Sequence, residues 1–394
     1  MTRTRSTSDL ERSTIVDVLK RFIRTETAGA KVLGLATILA LAWANSPLSS
    51  SYATFWSTPL PDALTLAGNI PDLRHLINDG AMTLFFLVVK LEIKRELVNG
   101  ELSSVRSAAL PAIAAVGGIV VPATIYALFN SGTATGSGWG IPIATDIAFA
   151  VALLAAFGSR IPVGLKVFLL SLAIVDDIVA IAAIALFYTD DLQVTWLLVM
   201  GVVMISLALT TRSRVLRGWV IIPAGLLLWV SAVFAGIHPT VAGILLAFMM
   251  SIGDGEGISV EDRLHPWTGL VVIPLFGLAN TGVLLSLSDL GDAVSSSAGL
   301  GIIVGLVLGK AVGVSLFSWI AVRIGIGELP AGVTWGYLIG AAAAAGIGFT
   351  MSLFITDLAF HDQRLVADAK LAIFVASVIS ALLSSLILRS QATR

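Results

Sequence analysis

Two adjacent carboxylates, Asp176 and Asp177, stand near the centre of an apolar run at residues 163–188. If that run crosses a bilayer, each acidic group at mid-depth costs roughly 2.5–3.5 kcal/mol, and the pair on the order of 5–7 kcal/mol. No apolar packing role offsets this. Either the pair is neutralised by protons, or it binds cations, or it does both in turn. Sodium is a hard cation, and hard cations prefer oxygen ligands. Neighbouring carboxylates titrate as a pair. If the site faced one side of a membrane at a time, sodium and protons would displace one another and their fluxes would be coupled. A hydrogen-bonded pair that merely holds helices together is the bland alternative.

Helical geometry separates the two groups. Adjacent residues point about 100° apart, so one aspartate is expected to be the main ion ligand and the other to lean toward a neighbouring helix. Lys310 is the candidate partner. It ends the run Gly305-Leu-Val-Leu-Gly-Lys310, whose small residues let helices approach closely. A lysine there either pairs with an aspartate, loses its proton, or compensates the negative C-termini of broken helices. Asp146 can do the reverse at paired N-termini. It follows Pro142 and Thr145 in Gly138-Trp-Gly-Ile-Pro-Ile-Ala-Thr-Asp146, where proline disfavours helix and frees carbonyls for an ion. Gly346, Gly348, Thr350 and Ser352 suit a second unwound stretch. Asp79 is the remaining deep acid, with a polar contact at a span end as its simplest role.

These groups need a membrane around them, and the composition supplies it. The 394 residues are 57% hydrophobic and 12% charged, with a mean hydropathy of +0.95. A soluble domain carries far more charge. The apolar runs are about 20 residues long and not alternating, which selects helices over a barrel. Net charge is −1, which gives no case for nucleic acid. The absence of cysteine excludes disulfides, thiol catalysis and thiolate metal sites. No cleaved signal peptide is read at the N-terminus.

Twelve spans are expected, near 27–45, 72–98, 108–130, 140–158, 163–188, 193–211, 217–235, 238–252, 264–286, 298–323, 332–358 and 366–388. They form a single transporter domain at 27–388, with tails at 1–26 and 389–394. Residues 1–12 are expected to lack structure, and Ile15–Phe22 to form a short interfacial helix. Lysine and arginine concentrate in the N-terminus and the even-numbered connections, which places both termini in the cytoplasm. Residues 46–71 suit a surface hairpin. Spans 3–5 and 10–12 each contain a broken middle helix, and paired interruptions of this kind point to a transporter site.

Several stretches carry a family resemblance. Trp139-Gly-Ile-Pro-Ile-Ala-Thr-Asp-Ile-Ala-Phe149 and Leu172-Ala-Ile-Val-Asp-Asp-Ile178 resemble the span-four and span-five motifs of NhaA sodium/proton antiporters. Phe85-Phe-Leu-Val-Val-Lys-Leu-Glu-Ile-Lys-Arg-Glu-Leu97, Leu264-His-Pro-Trp267, Gly309-Lys310 and Gly346-Ile-Gly-Phe-Thr-Met-Ser352 are similar too. The general rule for inverted-repeat transporters takes NhaA as one of its own examples, so the two are not independent.

The resemblance implies an all-α integral membrane protein of the NhaA fold. Spans 3–5 and 10–12 would be inverted repeats, with spans 4 and 11 unwound and crossing. It implies that Asp177 binds the ion, that Asp176, Asp146 and Thr145 contribute, and that Lys310 pairs with Asp176. It implies an electrogenic exchange of sodium or lithium for protons that serves sodium, pH and volume homeostasis. No cofactor and no enzymatic activity follow. The location would be a bacterial inner membrane and the assembly a homodimer, partly through the hairpin. Control by pH would map onto Glu92, Lys94, Arg95, Glu96, Glu261 and His238. From the residues alone, the first four read as a solvated helix end. His238 and His265 each precede a proline and read as caps, although His238 also titrates near neutrality.

Two departures stand out. Lys90 occupies a position where a small residue is expected; pairing with Glu92 or Glu261, or snorkelling to the cytoplasm, would follow, with a shifted pH profile. Gly253-Asp-Gly-Glu-Gly257 is acidic where basic residues are expected. Other classes fit less well. A symporter would want a larger substrate pocket. An intramembrane aspartyl protease would want two aspartates on different helices sharing a water; Asp146 and Asp177 could mimic this, but Asp176 would disturb the dyad. A channel would want rings of charge and leaves Lys310 unexplained.

Overall fold

The computed structural model describes residues 7–61, 71–188, 192–212, 218–250 and 256–393. Regular structure among them is helical. The elements are α1 (Thr7–Ala44), α2 (Ser49–Trp56), α3 (Leu73–His75), α4 (Met82–Asn99), α5 (Val105–Asn130), α6 (Ile147–Ala156), α7 (Val163–Phe187), α8 (Val194–Arg212) and α9 (Gly218–Ala235). They continue with α10 (Thr240–Met249), α11 (Glu256–Trp267), α12 (Ile273–Asn280), α13 (Leu287–Ser295), α14 (Ser297–Val304), α15 (Lys310–Arg323), α16 (Trp335–Ala344), α17 (Phe349–Ala359) and α18 (Gln363–Ala392).

Several starts are set by side-chain caps. Ser104, Thr334 and Asp362 accept from the first turns of α5, α16 and α18, satisfying N–H groups that otherwise lack partners. Helix lies at each expected span position. Among the described residues, six segments are long and apolar enough alone to cross a membrane, and the bent pair α16–α17 makes a seventh. Shorter apolar helices occupy Val194–Thr210, Val220–Ala235 and Thr240–Met249. Such a chain is a multi-pass membrane protein.

The structure corrects several expectations. The first helix starts at Thr7, so the separate interfacial helix merges into α1, whose apolar stretch is Thr25–Ala44. Helix α18 runs on to Ala392, into the stretch expected as the C-terminal tail, which leaves that expectation untouched. The expected hairpin begins instead as helix α2, and a single antiparallel bridge joins Pro59 to Asp72; residues 62–70 lie outside the described residues. So do residues 251–255, which hold most of the acidic glycine-rich segment.

Three expected spans carry π-helical turns, at Leu76–Ala81, Thr268–Val272 and Gly305–Gly309. Pro274 accounts for the second, because its ring and missing N–H displace the preceding ladder. The third widens the chain just before Lys310.

Close packing at glycine brings α5 and α15 together. A Cβ at Gly117 would sit 2.2 Å from the Gly313 carbonyl oxygen, and a Cβ at Gly313 would sit 2.2 Å from that of Gly117. This contact seats Lys310 beside Gly118 in the interior. Helix α7 runs through the core, with both Asp176 and Asp177 buried.

Candidate functional site

The two interrupted segments meet. A 3₁₀ turn (Gly136–Ile143) stops at Ala144, whose backbone is extended, and α6 begins only at Ile147. Opposite it, α16 ends at Ala344, α17 begins at Phe349, and the axes bend by 43°. The Asp146 N–H donates to the Ile347 carbonyl at 2.7 Å. The Thr145 hydroxyl reaches the Ala345 carbonyl at 2.9 Å, and the Ser352 hydroxyl reaches that of Ile141 at 2.8 Å. Each break thus satisfies the backbone groups that the other leaves free.

Gly346 and Gly348 lie in the second break, where space rather than unusual backbone angles requires them. A Cβ at Gly346 would come within 2.4 Å of the Leu306 carbonyl oxygen, and one at Gly348 within 2.2 Å of the Ser352 hydroxyl.

Asp146 caps α6 by accepting from the Phe149 N–H at 3.0 Å. Its other oxygen accepts from the Thr350 N–H at 2.9 Å and the Thr350 hydroxyl at 2.6 Å. One carboxylate therefore closes two helix N-termini, where partial positive charge favours an anion.

Asp176 and Asp177 diverge. Asp176 Oδ2 accepts from Lys310 Nζ at 2.5 Å and from the Thr145 hydroxyl at 2.7 Å, with Asp176 and Lys310 fully buried. Asp177 lines a cavity of about 40 Å³ with Asp146, Thr145, Thr350 and Glu92. It is 1% exposed, and its Oδ1 has no hydrogen-bond partner among the described residues. A buried carboxylate oxygen without a donor is costly unless a proton or cation satisfies it.

The same cavity reaches Glu26 and His265, which contact one another at 3.3 Å. From the sequence Glu26 carries no role and His265 only that of a cap. Glu26 falls in the expected tail, where it heads the apolar stretch of α1, and His265 lies in the family-like stretch Leu264-His-Pro-Trp267. Glu92 is buried beside them, with one oxygen that has no hydrogen-bond partner among the described residues. Arg95 ion-pairs with Glu261 and lies 4.0 Å from Glu96. Glu261 precedes the span expected from residue 264. Burial pushes its carboxyl up from the ordinary range, while Arg95 pulls it down.

Other residues of the expected sensor group lie elsewhere. Lys94 Nζ donates to the Phe248 and Met250 carbonyls at the end of α10, at 3.1 and 2.5 Å. Lys90 stacks its ammonium over the Phe248 ring at 3.8 Å, so the expected pairing with Glu92 or Glu261 is replaced by a cation–π contact. His238 precedes the start of α10, at the opposite end from Lys94, and lies 3.6 Å from Asp79. It lines a second cavity of about 320 Å³ with Asp79, Phe354, Asp357 and Lys370. The structure therefore does not bring His238 to the Glu92 group, because α10 holds the two apart.

A family model described as Na+/H+ antiporter 1 matches residues 20–388. The chain belongs to this Na+/H+ antiporter family. Among its relatives is the Na+/H+ antiporter NhaA of Escherichia coli O139:H28, 44% identical over 373 residues, covering 93% of this chain and 96% of the relative. Na+/H+ antiporter NhaA 3 of Frankia alni is 43% identical over 410 residues, covering 94% and 88%. NhaA of Cytophaga hutchinsonii is 41% identical over 379 residues, covering 95% and 96%. These Na+/H+ antiporters are named as transporters, not enzymes. The family assignment and the helical architecture agree with the NhaA resemblance read from the sequence.

Proposed function

We propose that this protein exchanges sodium ions for protons at Asp177, by alternating access across a bacterial inner membrane. One observation carries the reading. Asp177 is buried with an oxygen that has no donor among the described residues, in a cavity shared with Asp146, Thr145 and Thr350. Small, and offering several carboxylate and hydroxyl oxygens in an otherwise apolar wall, the cavity has room for an ion or a few waters and none for an organic solute. That size favours the antiporter over the symporter.

The roles divide as the geometry divides. Asp177 holds sodium or a proton. Thr145 and Asp146 supply further oxygens, and Thr350 sets the position of Asp146. Asp176 is held by Lys310. When sodium draws Asp176 toward the ion, the lysine loses its anion and can release its own proton. Two protons against one sodium would make the exchange electrogenic, and lithium would enter the same oxygen site.

Alternating access would come from the two halves of spans 4 and 11, which the hydrogen bonds between their breaks join into one unit. Twelve spans, inverted repeats and a homodimer complete this reading, with both termini in the cytoplasm as the lysine and arginine distribution supports. Control by pH would enter through Glu92 and the Arg95, Glu96 and Glu261 cluster.

The test is reconstitution in vesicles with a pH-sensitive dye. After a proton gradient is imposed, sodium or lithium should dequench the dye and potassium should not. Asp177→Asn should abolish the signal. Absence of sodium-dependent dequenching in the native chain at every pH would refute exchange; full activity in Asp177→Asn would move the site elsewhere.

A further inference from the structure

A second ion pair, with a buried lysine and a partly buried aspartate, lies away from the site, in the wall of the Asp79 cavity. Lys370 of α18 meets Asp357 of α17, with Nζ 2.8 Å from Oδ1. Lys370 is 6% exposed, and the other carboxylate oxygen of Asp357 is buried without a hydrogen-bond partner among the described residues. Burying the lysine costs desolvation, and an apolar residue could fill its space at least as well. Its position suggests what it does.

Helix α17 touches both cavities. Thr350 and Met351, in its first turn, line the Asp177 cavity. Phe354 and Asp357 line the Asp79 cavity. The changeover takes three residues, about 4.5 Å of rise. At that level Phe354, 1% exposed, packs against Phe86, Phe276 and His238. This aromatic cluster separates the cavities. Asp177 lines only the smaller one.

For Asp177 to be reached through the Asp79 cavity, Phe354 must leave the cluster, and it moves with α17. The N-terminal end of α17 follows the bend at 344–349 and is joined there to the first break, through Thr350 to Asp146, so it moves with that break as one unit. Its other end, one turn beyond Phe354, is tied to α18 by Asp357 and Lys370.

We propose that the Asp357–Lys370 pair is a latch that holds α17 against α18 and biases the transporter toward the conformer in which Asp177 faces the Glu92 cavity. The proposal rests on the alternating-access part of the reading above. The two residues are positioning residues; neither touches the ion.

The chain has no cysteine, so a single introduced thiol reports alone. Met351→Cys in vesicles is treated with a membrane-impermeant thiol reagent on one face or the other. With the latch intact, modification should be fast from the Glu92 side and slow from the Asp79 side. Adding Asp357→Asn should speed modification from the Asp79 side by about tenfold, as a population shift of that size requires. The exchange Asp357→Lys with Lys370→Asp should restore the original asymmetry, which a merely structural role for either residue would not predict.

Should a single variant fail to fold, Asp357→Asn with Lys370→Gln, which leaves no orphaned charge, carries the same expectation. Unchanged labelling from both faces in the folded variants would overturn the latch. Labelling needs no sodium flux. If the native chain showed no sodium-dependent dequenching, the exchange reading would fall and the latch would still be judged on access alone.

Discussion

Thr350 directs both its backbone N–H and its hydroxyl at a single oxygen of Asp146, at 2.9 and 2.6 Å. The other oxygen of Asp146 caps α6. The carboxylate is therefore the joint between the two helices that restart after the breaks. Thr350→Ala keeps the backbone bond and removes the hydroxyl bond to a charged acceptor, a loss of about 1.5–3 kcal/mol. Thermal unfolding in detergent should show that loss, and Thr350→Ser should recover most of it. In transport, Thr350→Ala should need more sodium for half-maximal dequenching, because Asp146 is then less firmly placed. Equal melting of the alanine and serine variants would contradict this.

The Lys310–Asp176 pair predicts a different pattern. Lys310→Met leaves a buried carboxylate with only the Thr145 hydroxyl on the paired oxygen, and breaking such a pair costs about 3–5 kcal/mol. Adding Asp176→Asn removes the orphaned charge and should return most of the stability. The double-mutant cycle, measured by thermal unfolding, isolates the coupling. Additive losses would mean that the two groups do not depend on one another in the folded state.

Much of this arrangement was legible in the sequence because its causes are local. Pro142, Gly346 and Gly348 mark the breaks by backbone chemistry, and the divergence of Asp176 from Asp177 follows from the helical repeat alone. What stayed hidden depends on which helices touch. Glu26 and His265 lie far apart in the chain and meet only when α1 packs beside the end of α11. Asp357 and Lys370 sit close to expected span ends, where a charge can snorkel and draws no notice. Lys90 illustrates the same limit. In sequence it stands two residues from Glu92, but the helix face it occupies turns toward Phe248 of α10.

Glu261 predicts a pH dependence of stability. Burial raises its folded-state pKa above 4.5, with Arg95 opposing. The folded state therefore holds this proton more tightly than the unfolded state. The stabilisation is full below pH 4.5 and is lost as pH rises through the raised folded value. Melting temperature should decline across that window in the native chain. Glu261→Gln should flatten the decline, because the amide stays neutral throughout. Parallel pH profiles for the two proteins would assign the dependence to other groups.

Gly346 tests whether the second break needs its close approach. A Cβ there would meet the Leu306 carbonyl at 2.4 Å and the Ser380 hydroxyl at 2.6 Å. The serine can rotate away; the carbonyl belongs to the π-helical turn before Lys310 and can move only with the backbone. Gly346→Ala should therefore cost about 1–3 kcal/mol, in the range of overpacked cores. It should also displace the turn that delivers Lys310 to Asp176, so sodium-dependent dequenching should fall along with the melting temperature. Gly291→Ala is the matched control, since nothing lies within 4 Å of its added Cβ in α13. There the substitution should be neutral or slightly stabilising, because alanine favours helix over glycine. If Gly346→Ala melted and transported like Gly291→Ala, the tight seat of the second break against the Lys310 segment would have no part in holding the site together.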